Sequence, residues 1–100
     1  MSTPDADDLL RQAVEELAAR EGCSWAGIYF VEEDHLVLGP EAGASAPERR
    51  TAVPVLWRGT RVAELAADGD VDRTELESVA AAIADLCLVG WDTGGEVWQS

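Results

Sequence analysis

Apolar positions recur at helical spacing near both ends of the chain and alternate, or run unbroken, between them. Leu9, Leu10, Ala13, Val14 and Leu17 make one stripe and predict a helix over residues 4–21. Thr3 suits its cap, Pro4 its first turn and Gly22 its stop, while Asp5, Asp7 and Asp8 favour its positive end. A second stripe, Leu76, Val79, Ala80, Ile83, Leu86 and Cys87, predicts a last helix that ends at Gly90. Asp72 with Glu75 reads as a capping box at its start, and Val71 with Leu76 as a hydrophobic staple. Four strands are predicted between the helices: residues 25–31, 35–39, 51–57 and 61–67. The turn 32–34 joins the first two strands, Arg58-Gly59 joins the last two, and residues 40–47 form a loop rich in turn formers. Two one-sided helices around two hairpins predict an α+β domain with an antiparallel sheet. With strands one and four central, the order is 2-1-4-3, and Pro54 falls on an edge strand. Ala26, Ile28, Phe30, Ala63 and Leu65 should then face the helices.

The first strand carries a second signal. Trp25, Gly27, Tyr29 and Val31 alternate with Ala26, Ile28 and Phe30, so both of its faces are apolar or aromatic. A strand buried on one side shows polar residues at every second position. Something must therefore cover the second face.

Composition narrows the classes. One hundred residues with 47% hydrophobic side chains make one domain with one core. The net charge of −13 repels phosphate backbones and anionic lipid, which argues against nucleic-acid and membrane-surface binding. No apolar run approaches the roughly 20 residues of a membrane helix. No basic segment followed by an apolar stretch opens the chain, so a cytoplasmic location is expected. Cys23 and Cys87 are isolated, without the spacing of a zinc or redox motif, and read as small buried hydrophobes.

Trp25-Ala26-Gly27-Ile28-Tyr29, then Leu36-Val37-Leu38-Gly39-Pro40, Gly43 and Ala46 resemble the opening of free methionine-(R)-sulfoxide reductases, enzymes built on a GAF domain. Val53-Pro54-Val55, Gly59, Val62 and Leu65 resemble the GAF hairpin before the last helix, and Asp72, Glu75 and Leu76 the start of that helix. The resemblance implies a minimal GAF-like domain over residues 1–90 and a separate tail over 91–100. It places Trp25 and Tyr29 at pocket-facing positions of the sheet and Asp68 at an acidic one. It also implies terminal helices that run antiparallel, with Cys23 and Cys87 at opposite ends and unable to pair. The departures are as informative. The segment that roofs a GAF pocket is reduced to residues 41–50, and Pro47 stands where the reductases begin their catalytic cysteines. Arg50 and Ala66 occupy positions where the reductases line the pocket with acids, and only Asp68 matches.

Sulfoxide reduction by thiols needs an accessible, activated cysteine. Neither cysteine has a basic neighbour in sequence, His35 falls beside a turn, and Glu15-Glu16 and Glu32-Glu33 read as solvated surface. The sequence therefore predicts no catalytic residues, no metal site and no cofactor. The leading reading is a non-catalytic assembly or regulatory module that acts through protein contacts. The alternative is a sensor that binds a small molecule at Trp25, Tyr29 and Asp68, and a reductase-like enzyme comes third. The tail carries Trp91 and Trp98 around Gly94-Gly95, more aromatic than a disordered segment, and reads as an interaction segment. A homodimer is expected through the terminal helices, where Ala80-Ala81-Ala82 allows close approach, with the tail over the open sheet face.

Overall fold

The computed structural model describes residues 6–33 and 35–87. Helix α1 (Ala6–Ala18) leads into β1 (Cys23–Glu32) and β2 (His35–Gly43). A single 3-10 turn, Pro47–Arg49, precedes β3 (Arg50–Trp57), β4 (Thr60–Gly69) and helix α2 (Arg73–Cys87). All neighbouring strands are antiparallel, and the order is β2-β1-β4-β3, as the two hairpins predict. Thr3, Pro4 and Gly90 lie outside the described residues.

One core lies between the sheet and the two helices. Ala26, Ile28, Phe30, Ala63, Leu65 and Ala67 meet Leu10, Val14 and Leu17 of α1 and Leu76, Ala80, Ile83 and Ala84 of α2. Leu9 departs from the predicted stripe and is 37% exposed, because Leu10, Val14 and Leu17 already fill the facing side of α1. The N-terminus of α2 is capped by Asp72, whose Oδ1 accepts from the Thr74 N–H at 2.9 Å. Glu75, predicted to close the capping box, instead reaches Arg20 in the α1–β1 turn and ties the two helices together.

Two β-bulges reshape the hairpins. In the β1–β2 pair, Gly27 stands opposite Glu41 and Tyr29 opposite Leu38, so Gly39-Pro40 holds the extra residue. β2 therefore continues to Gly43, through a stretch whose turn formers predicted a loop; as an edge strand it tolerates Pro40. In the β3–β4 pair, Val55 faces Ala63 but Leu56 faces Arg61. A one-residue shift of register moves every side chain beyond it to the other face. Arg50 is thereby brought opposite Asp68 rather than Ala67.

Candidate functional site

The face of the sheet turned away from the helices is ordered in rows by these registers. Trp25, Asp68 and Arg50 share the row at one end, and Gly27 and Ala66 the next. Tyr29, Leu38, Glu64 and Pro54 share a third row, and Val31 with Leu36 lies beyond it. The residues singled out from the sequence, Trp25, Tyr29 and Asp68, thus come together on one surface. Trp91 and Trp98 lie outside the described residues.

Arg50 is the centre of this group. Its Nε and Nη2 donate to the two carboxylate oxygens of Asp68 at 2.7 and 2.9 Å, a bidentate pair. Nη2 also donates to Ser45 Oγ at 3.0 Å, and Nη1 to the Tyr29 hydroxyl at 3.1 Å. The guanidinium lies 4.2 Å from the centre of the Trp25 ring, in cation–π contact. Four of its five N–H groups are thereby engaged.

Asp68 is fully buried, yet its carboxylate is satisfied: Oδ2 also accepts from the Ala46 backbone N–H at 2.6 Å. The Arg50 hydrogen bonds hold its carboxyl below the usual aspartate range; burial opposes this, and the Ala46 amide assists it. Arg50 is correspondingly raised, chiefly by Asp68. Trp25 is 1% exposed, and its Nε1–H donates to Glu41 Oε1 at 2.9 Å. The ring lies over Gly27, where a Cβ would come within 2.6 Å of it, so only glycine leaves it room. The segment from Gly43 to Arg50 crosses this end of the sheet, held by Ala44 N–H to Ser24 O at 2.8 Å and by Ala46 on Asp68.

These contacts answer, for one end of the sheet, what covers the second face of β1. The sequence suggests the tail or a second copy; over Trp25 the cover is this chain's own Arg50. A buried aspartate that directly follows the apolar residues Leu65-Ala66-Ala67 requires a cation. That signal was available in the sequence, but the partner was not, because the bulge that brings Arg50 opposite it leaves no clear mark.

The other end is not covered among the described residues. Val31, Leu36, Leu38 and Leu56 are 40%, 40%, 38% and 49% exposed. No buried side-chain nitrogen or oxygen among the described residues lacks a partner. Among them, too, no group of three or more His, Cys, Asp or Glu could hold a metal ion. No helix there is long and apolar enough to cross a membrane. Both cysteines are free. Burial, with a smaller contribution from Asp85, pushes the Cys87 thiol up to about 11. Half-buried Cys23 donates from Sγ to the Trp25 carbonyl at 3.3 Å.

No protein-family model matches the chain, and no curated protein matches it. Solved structures do. The type II free methionine-R-sulfoxide reductase of Thermoplasma acidophilum superposes with a TM-score of 0.72 at 17% identity, over 88% of this chain and 95% of that one. The free methionine-R-sulfoxide reductase of Staphylococcus aureus, solved in complex with substrate, gives a TM-score of 0.53 at 16% identity, over 87% of this chain and 99% of that one. The chain has the GAF-like fold of these reductases.

Proposed function

We propose that this chain is a non-catalytic GAF-like module that acts through protein contacts, in assembly or regulation. One observation carries the proposal: the aromatic and acidic cage on the sheet face is filled by the chain's own Arg50. The guanidinium takes both oxygens of Asp68, the hydroxyl of Tyr29 and the face of Trp25 together. A small ligand would have to displace a bidentate pair that closes over a fully buried carboxylate. The thiols support the same reading. Cys87 is held protonated by burial, and Cys23 is directed to a backbone carbonyl rather than to an activating base. The apolar end of the same face offers a contact surface. A homodimer through the outer sides of the helices belongs to the proposal, but Ala80 is spent in the core, leaving Ala81 and Ala82 exposed on α2.

The fold of the two reductases makes methionine sulfoxide the ligand to test. The full chain is titrated with it, with thiol reductant present, while the Trp25 Nε1–H resonance and methionine formation are followed. No saturable shift and no turnover are expected. A saturable shift at Trp25 without turnover would replace the proposal with the sensor reading, and turnover with the enzyme.

A further inference from the structure

The two edges of the sheet are not equivalent. β3 carries Pro54 in its middle, and a proline on an edge strand lacks the N–H that a further strand would need. β2 keeps its donors from His35 to Gly39, before Pro40, and carries no arginine there to blunt the edge. The β1–β2 turn fixes which backbone groups face outward. Glu32 pairs with His35 across a two-residue loop, with Glu33 at φ 55, and hydrogen-bonded pairs alternate along the ladder from that closing pair. Val37 therefore turns its N–H and C=O to Phe30 of β1, and Leu36 and Leu38 turn theirs away from the sheet. Among the described residues, no strand pairs with that outer edge.

Side chains and charge define what fits this edge. Leu36 and Leu38 lie on the open face, in rows with Val31 and Tyr29, and are 40% and 38% exposed. An added strand would find apolar cross-strand neighbours beside it. Acids bracket them: Glu32 and Glu33 at the turn end and Glu41 beyond Pro40, all exposed. The seven arginines of the chain all lie outside the stretch from Cys23 to Gly43, and the net charge is −13. A second copy would bring the same acids against these. In a two-fold antiparallel pair centred on Val37, Glu33 of one chain comes towards Glu41 of the other, and like charges across strands repel. A segment with basic ends complements the edge, whereas a second copy does not.

We propose that the outer edge of β2 is a strand-addition site for an extended segment of a partner protein, apolar at the positions facing Leu36 and Leu38 and basic on either side of them. The segment's backbone pairs with the outward N–H and C=O groups of Leu36 and Leu38. Its apolar side chains extend the Val31–Leu36 and Tyr29–Leu38 rows onto a further strand. Its cations meet Glu32 and Glu33 at one end and Glu41 at the other. So short a contact belongs to weak, exchanging complexes, which suits regulation better than permanent assembly. This inference rests on the reading of the chain as a module that acts through protein contacts, and names the partner's chemistry.

The test is an NMR titration of the full chain with two synthetic peptides of alternating valine and threonine, one ended by lysines and the other by glutamates. The lysine peptide should shift the Leu36 and Leu38 amides saturably and slow their exchange with solvent. The glutamate peptide should bind at least about tenfold more weakly. N-methylating alternate backbone nitrogens of the lysine peptide should abolish its binding. Leu36→Lys, which puts a cation on the edge, should weaken it as well, whereas Leu56→Ser on the opposite edge should leave it; an unchanged Trp25 Nε1–H signal shows that each variant is folded. No shift at Leu36 and Leu38, or equal binding of the two peptides, would overturn the proposal. So would Leu36 and Leu38 amides already protected without peptide: protection at every concentration would mean that the chain covers its own edge, and protection that grows with concentration that a second copy does. Each of these failures leaves the methionine sulfoxide titration to decide the non-catalytic reading by itself.

Discussion

Asp68 has no exposed surface, and Arg50 is about one-quarter exposed, so the two would suffer unequally if separated. Arg50 could rehydrate; Asp68 would keep the Ala46 amide and Ser45 as partners but an uncompensated charge. Arg50→Ala is therefore expected to cost about 3–5 kcal/mol of unfolding free energy, measured by denaturant titration at neutral pH. The pH dependence follows from the lowered pKa of Asp68. Its stabilising contribution is present above the ordinary aspartate value of about 3.9 and is lost as pH falls through the lower folded value. In Arg50→Ala the buried carboxyl is raised instead, so acid should narrow the gap between variant and parent. A gap that stays constant down to acid unfolding would contradict the pairing. Gly27→Ala tests the ring above it: the new Cβ meets Trp25 at 2.6 Å, and the ring is pinned by Arg50 and Glu41. A loss of about 1–3 kcal/mol is expected, with a shifted Trp25 indole signal, and a neutral substitution would show that the ring is free to move.

Among the elements, the helices and strands were largely legible because their apolar periods are unmixed. The stripes of α1 and α2 and the alternation of β1 lead directly to the observed core. What escaped was register. Both bulges add a residue without a strong local signature, and the one at Val55/Leu56 decides which face Arg50 takes. Turn formers around Pro40 predicted a loop where an edge strand continues, since an edge strand leaves Pro40 without a required partner. From the sequence, Trp25, Tyr29 and Asp68 were legible only as positions that the resemblance placed on the sheet face, and Arg50 only as a departure from it. Cys87, on the buried side of α2, gives a check on how that element packs. With its thiol pushed up to about 11 and 2% exposed, it should alkylate far more slowly than Cys23 at pH 8 in folded protein. Equal rates for the two thiols would show α2 opening from the sheet.

For the molecule as a whole, likeness in fold and difference in site pull apart. The chain superposes on two free methionine-R-sulfoxide reductases over most of its length, yet among the described residues one end of its sheet face is closed by an internal cation and the other presents apolar side chains. A fold hosts many functions, and the site has to decide among them. The reading of the molecule as non-catalytic depends on Arg50 staying in place as the cage's resident. The most direct measurement is the arginine side-chain ¹H–¹⁵N spectrum of the full chain, with Arg50 Nε–H identified by its absence in Arg50→Lys. Among the seven arginines, that of Arg50 is predicted to be shifted, slow to exchange with solvent and unmoved by millimolar methionine sulfoxide. An Arg50 Nε–H that exchanges as fast as those of the surface arginines, or that moves when methionine sulfoxide is added, would contradict the account.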